Sequence, residues 1–208
     1  MHSLLEALLA AADGRFPEVD GRVDVVVPLD GDHHAVVEFT GHAFVLTDHA
    51  AGDVLSRRVD GFGGASQPDV LRWLAGPDGW IGSHDVVLVA HGTGGGRLPK
   101  SIDHEGHPRV IRSRAHRRDV RVHADDTGVV TIGRGLVDRR ELSVEVFEPG
   151  RGGPGHGRRL ITEGLALIQP GDVVFAQVAP GNAASLRAFL SCGFVPIGAE
   201  VLLRPVRK

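Results

Sequence analysis

Val144-Glu145-Val146-Phe147-Glu148-Pro149-Gly150-Arg151-Gly152-Gly153-Pro154-Gly155-His156-Gly157-Arg158-Arg159-Leu160 takes the chain from a β-type run through a glycine-rich loop into a helical pattern. Leu142 to Phe147 reads as a strand. After the loop, Leu160, Ile161, Gly164, Leu165 and Ile168 share one face at helical spacing, and Pro170-Gly171-Asp172 stops the helix. A strand that runs through glycines into a helix leaves unpaired N–H groups at the helix start, where the helix dipole also favours an anion. Glycines let a ligand approach the backbone, and Arg151, Arg158 and Arg159 add positive charge. The ligand chemistry that fits is a pyrophosphate, although such a loop is also ordinary punctuation between elements. No Lys-Ser or Lys-Thr follows the last glycine, which excludes a Walker A loop. A dinucleotide fingerprint fits poorly, because Arg158 stands where a small residue is needed.

One helix and one strand further on comes Ala179-Pro180-Gly181-Asn182-Ala183-Ala184-Ser185-Leu186-Arg187-Ala188-Phe189-Leu190-Ser191-Cys192-Gly193-Phe194. Val173 to Val178 reads as the strand. Ala183 to Cys192 reads as a helix with Leu186, Phe189 and Leu190 inward, Gly193-Phe194 ends it, and Val201 to Leu203 is a last strand. The order strand, glycine loop, helix, strand, helix, strand belongs to a mixed α/β domain with an α+β-type mixed sheet. Here the sequence resembles the GNAT superfamily of acyl-CoA N-acyltransferases. Their glycine loop has an Arg/Gln-x-x-Gly-x-Gly/Ala core, and the next strand and helix carry an Asn, a small residue, a Tyr and Gly-Phe. Asn182, Ser185, Phe189, Gly193 and Phe194 occupy those later places. The resemblance covers roughly residues 128–205 and no particular subfamily.

The resemblance implies a GNAT-like fold in the C-terminal half, acetyl-CoA as cosubstrate, and acetyl transfer to a primary amine by direct attack. Two neighbouring strands would splay apart with the pantetheine arm between them, paired to the backbone of Val144 and Val146. The loop residues Arg151, Gly153, Gly155, His156, Gly157 and Arg158 would hold the pyrophosphate. Asn182, with Ser185 one helical turn on, would cap the following helix and approach the pantetheine. A simple N-cap is the other reading of Asn182. A backbone N–H near Val146 would polarise the thioester carbonyl.

The chain departs from the family at several of these positions. Gly152 stands where Arg or Gln is usual, the loop is one residue longer than the common form, and Pro154 has no N–H to donate. The usual Tyr is Phe189, in a chain with no tyrosine, and the Glu that some relatives use as base is Gln177. Strand alternation puts Glu141, Ser143 and Glu145 on one face. Glu145, then Glu141, are therefore the candidate bases, acting through water, with a solvated strand residue as the plainer reading of each. Ser185 and Ser191 are weaker proton donors, and the single cysteine, Cys192, reads as a small core residue. The missing Tyr and Glu leave a second function open, a non-catalytic acetyl-CoA-binding sensor or scaffold.

The first hundred residues match no nameable pattern and read as an α/β region of unknown role. They are expected to form part of the acceptor wall or a second, similar half. Leu4, Leu5, Leu8, Leu9 and Ala12 mark a helix ended by Asp13-Gly14. Residues 23–29, 35–39 and 44–47 read as strands, the last two joined by a hairpin at Gly41-His42. Ala50 to Val59 reads as a short helix. Ser66, with Pro68 and Asp69, starts another helix, and Val86 to Ala90 is a buried strand. The glycine-rich stretch Gly92 to Gly96 separates regions 1–100 and 101–208.

The bulk properties of the 208 residues are ordinary for a globular protein, with 42% hydrophobic and 24% charged residues. A net charge of −3 argues against nucleic acid as a partner. The arginine-rich stretch Arg109–Arg121 reads as a solvated helix face or hairpin, or as an anion-attracting patch. One cysteine excludes an internal disulfide. Neither a signal peptide nor a membrane span is legible, so the cytoplasm is the expected compartment and no membrane partner is expected. The histidines are scattered without ligand spacing, so no metal is expected. The glycine-rich composition suggests a high-GC, bacterial genome. The expected partner is a small-molecule or peptide amine acceptor, and a homodimer is left open.

Overall fold

The computed structural model describes residues 1–29, 33–147 and 155–206. Contacts divide the chain into two compact units, Met1–Val87 with Ile197–Lys208, and Leu88–Pro196. The expected boundary at residue 100 and the Gly92–Gly96 stretch both lie inside the second unit.

The first unit opens with α1 (Ser3–Ala12). His2 caps it by accepting from the Leu4 N–H, Leu4, Leu8 and Ala11 are buried along one face, and Asp13 ends it. β1 (Val23–Val26) runs parallel to β3 (His42–Leu46), and β2 (His34–Phe39) is antiparallel to β3. Gly41 makes the β2–β3 turn at a φ of 70°, where a Cβ would stand 2.5 Å from Val19 Cγ1. α2 (Ala51–Leu55) is shorter than the segment expected. α3 (Pro68–Ala75) starts one residue later than the expected cap: Gln67 is the N-cap, Pro68 opens the helix, and the Ser66 hydroxyl donates to the Gly63 carbonyl. β4 (Trp80–His91) extends well before the apolar run at residues 86–90 and takes the chain from one unit into the next. The last strand, β9 (Val195–Arg204), pairs antiparallel with β2 from His34↔Leu203 to Glu38↔Ala199. Val36, Val45, Val54, Leu71, Leu74, Val201 and Leu203 form the core under α2 and α3.

In the second unit, α4 (Pro108–His116) is capped by His107, whose ring accepts from the Arg109 N–H. β5 (Arg118–Ala124), β6 (Gly128–Arg134) and β7 (Arg140–Val146) form an antiparallel meander. The arginine-rich stretch is thus helix α4 followed by the edge strand β5. After the residues outside the description come α5 (His156–Ala166), β8 (Val173–Val178) and α6 (Ala183–Ser191), with β8 parallel to β7. The strand order is β8-β7-β6-β5. Mixed parallel and antiparallel pairing with helices makes the fold mixed α/β.

The register Val130↔Val144, Thr131↔Ser143 and Ile132↔Leu142 sorts side chains between two faces. Leu142 and Val130 meet α5, where a Cβ on Gly164 would lie 2.6 Å from Leu142 Cδ1. Thr131 and Ser143 meet α4 through Ser113. α6 buries Phe189 against Phe194, their rings edge-to-face at 4.9 Å. Leu190, expected to face inward, is instead 46% exposed.

Candidate functional site

β7 and β8 register at Glu141↔Phe175, and no further pair joins them among the described residues. Among the described residues, β7 beyond Glu141 registers only with β6, Val144 against Val130 and Val146 against Gly128. Two parallel strands that meet at one end and then part leave room for an extended chain between them. Val144 and Val146, both half-buried, border that gap.

At the C-terminal end of β7 lie residues 148–154, so Arg151 and Gly153 fall outside the described residues. Gly155 is the N-cap of α5 at a φ of 114°, and no side chain among the described residues caps the helix. The first-turn N–H groups therefore keep their capacity to bind an anion. A cleft of about 540 Å³ opens at this point, lined by Gly155, Gly157 and Arg158 of α5 and by Ala184, Arg187, Ala188 and Ser191 of α6. A Cβ at Gly157 would meet nothing within 4 Å. Of the loop residues expected to hold pyrophosphate, Gly155, Gly157 and Arg158 line the cleft; His156 begins the helix without lining it.

Asn182 caps α6, its Oδ1 accepting from the Ser185 N–H at 3.1 Å. Ser185 contributes that backbone donor and lies outside the cleft lining. Arg187 was not among the residues expected. Its signal is the stripe Ala184, Arg187, Ala188 and Ser191, three small residues and one cation on a single helix face. The Cys192 thiol lies 3.5 Å from the Arg158 carbonyl and 3.8 Å from the Thr162 hydroxyl, a packing role.

A polar network occupies the other face of β7. Glu141 is buried, with Arg117 Nε donating to one oxygen at 2.6 Å and Arg139 Nε to the other at 2.8 Å. Burial pushes the Glu141 carboxyl up, and Arg139 and Arg117 together outweigh it, so the group stays below the ordinary carboxylate range. Gly135 is required beside it, because a Cβ there would overlap the carboxylate. With both oxygens engaged by guanidinium N–H groups, Glu141 is suited to holding an ion pair and poorly suited to taking a proton.

Arg117 also donates from Nη1 to the Ser143 hydroxyl and from Nη2 to Gln177 Oε1, each at 3.1 Å. Ser143 continues into a hydroxyl cluster with Thr131 at 2.7 Å and Ser113 at 3.3 Å. Glu145 stands further along β7 and accepts from Arg109 Nε at 2.8 Å, with the two side chains 40% and 34% exposed. No local signal could have revealed Arg117, which joins elements 24 and 60 residues away.

Among the described residues, no group of three or more His, Cys, Asp or Glu side chains could hold a metal ion, and no helix is long and apolar enough to cross a membrane.

No protein-family model matches the chain, and no curated protein does. Among solved structures, the chain is similar to an acetyltransferase from Novosphingobium aromaticivorans DSM 12444, at 16% identity and a TM-score of 0.42, over 64% of this chain and 69% of that one. A second similar structure is an acetyltransferase from Colwellia psychrerythraea, at 10% identity and a TM-score of 0.38, over 61% of this chain and 57% of that one. Both are named as members of the GNAT family. That is the family which the two motifs of this chain resemble. The chain spans little more than half the length of the second structure.

Proposed function

We infer that the second unit binds acetyl-CoA and that the protein transfers the acetyl group to a primary amine. One observation carries this reading. The uncapped start of α5 faces a cleft bordered by Arg158 and Arg187, at the end of β7 where β7 and β8 have parted. Backbone donors, two guanidiniums and open space over Gly157 fit a diphosphate, and the gap between the strands fits a pantetheine arm. The acetyl thioester would then lie along β7, toward the end of the gap that Glu141 and Phe175 close. A neutral amine attacks the carbonyl carbon, the carbon–sulfur bond breaks, and the thiolate leaves with the former bonding pair. Glu145 is the proposed base, taking the amine proton through water. Glu141 serves by fixing Arg117. The acceptor is proposed to be a small-molecule or peptide amine, and the cytoplasm is the proposed compartment.

A non-catalytic coenzyme-binding role is the second reading. It is favoured by Phe189, which is packed on Phe194 and has no proton to give, and by Gln177 in place of a carboxylate. Calorimetric titration with coenzyme A and acetyl-CoA tests the binding common to both readings. Thiol release from acetyl-CoA across a panel of amines separates them: release with some amine supports transfer, and tight binding with no release across the panel supports the sensor or scaffold.

A further inference from the structure

Gln177 sits on β8 two residues beyond Phe175, the position registered with Glu141, and so at the closed end of the gap. Its Oε1 accepts from Arg117 Nη2 at 3.1 Å. A guanidinium only donates, so this contact fixes which way the amide lies. Arg117 is itself held, by Glu141 through Nε and by Ser143 through Nη1, and its side chain is only 10% exposed. The Gln177 Nε2 is therefore turned away from Arg117, and there it is buried with no hydrogen-bond partner among the described residues. Burying an amide N–H without an acceptor is unfavourable, and a protein that fixes one in place by three side chains has built a donor.

A fixed N–H donor attracts a carbonyl oxygen and repels an ammonium group. It cannot act as a base, and it is the wrong partner for a cationic amine. Which carbonyl reaches it follows from the direction of the strands. The phosphate-binding end lies past Val146, and Glu141 lies at the other end of β7, five residues or about 17 Å away at about 3.3 Å each. A coenzyme anchored by its phosphates at α5 and laid along β7 brings its acyl tip to the closed end last.

We propose that Gln177 Nε2 donates a hydrogen bond to the carbonyl oxygen of the acyl thioester, making Gln177 a residue that distinguishes acylated from free coenzyme. The proposal rests on the coenzyme reading above. Arg117, Glu141 and Ser143 are then positioning residues for this donor.

The experiment titrates acetyl-CoA and free coenzyme A separately into wild type, Gln177→Leu and Gln177→Glu by calorimetry. Gln177→Glu keeps the shape and the Arg117 contact but replaces the donor with an acceptor, and so decides the matter if Gln177→Leu fails to fold. Both variants are expected to bind acetyl-CoA about tenfold more weakly, with coenzyme A affinity unchanged, and the infrared carbonyl stretch of bound acetyl-CoA should rise as its hydrogen bond is lost. Equal loss for both ligands, or no loss for either in a folded variant, overturns the proposal while leaving the coenzyme reading intact. A wild type that binds neither ligand overturns both.

Discussion

Gly157→Asp is expected to stabilise the protein and to weaken its hold on coenzyme A, two effects of opposite sign from one carboxylate. Gly157 is the second residue of α5, and a Cβ there meets nothing within 4 Å, so the side chain fits without displacing a neighbour. Replacing a helical glycine removes backbone entropy from the unfolded chain, worth about 0.5–1 kcal/mol. A carboxylate in the first turn of a helix adds about 0.3–1 kcal/mol through the dipole and the free N–H groups, and no side chain among the described residues caps α5 in competition with it. Together these raise the melting temperature of the free protein by roughly 2–8 °C. In the cleft the same carboxylate stands beside the proposed diphosphate and competes for Arg158 and the helix N–H groups. Loss or opposition of a charged hydrogen bond costs about 1–3 kcal/mol, or roughly 5- to 150-fold in Kd. Gly157→Ala separates the two effects, because it keeps the entropic gain and adds no charge. Thermal melts without ligand and calorimetric titration with coenzyme A measure both quantities. A Gly157→Asp protein that binds coenzyme A as tightly as wild type places the phosphates somewhere other than the start of α5, and the reasoning fails.

Gly135→Ala should lower stability by about 1–3 kcal/mol in denaturant melts, because the new methyl overlaps the Glu141 carboxylate and neither Arg117 nor Arg139 can release it cheaply. Phe189→Leu should cost about 0.5–3 kcal/mol of stability through the lost contact with Phe194, with coenzyme affinity retained; loss of turnover in a folded, coenzyme-binding variant would give the ring a direct role. Once an acceptor is known, Glu145→Gln should lower kcat/KM by about 10²–10⁴-fold, while the half-exposed pair with Arg109 contributes little to stability. An unchanged kcat/KM would exclude Glu145 as the base. Burial holds the His123 imidazole below its ordinary value of 6.5, while its Nδ1 bonds to the Leu98 carbonyl. The unfolded chain then binds the extra proton more readily, so this contribution is complete above about pH 6.5 and is lost as pH falls, at up to about 1.4 kcal/mol per pH unit. Denaturant melts at about pH 5.5 and about pH 7.5 should show a smaller loss for His123→Gln than for wild type, and equal losses would contradict the assignment.

Much of the second unit was legible in the amino-acid sequence because it is written in local terms. The apolar face of α5, the run Val173–Val178 and the Asn182 cap of α6 depend on spacing, β-branching and a side chain reaching its own backbone, all within about one or two helical turns. The sorting of Glu141, Ser143 and Glu145 onto one face likewise follows from the two-residue repeat of a strand. The start of α3 was displaced by one residue because Ser66 and Gln67 both precede Pro68, and tertiary packing chose between them. Leu190 has the same local credentials as Phe189, yet only the fold could show which of two adjacent apolar residues faces the core. The compact units were not legible either, since the last strand joins the first unit through pairing with β2, about 160 residues away. The network that joins Arg117, Glu141, Ser143 and Gln177 was invisible for the same reason. Each of these residues reads alone as a surface polar side chain, and only a fold that buries them together makes their charges and hydrogen bonds answer to one another.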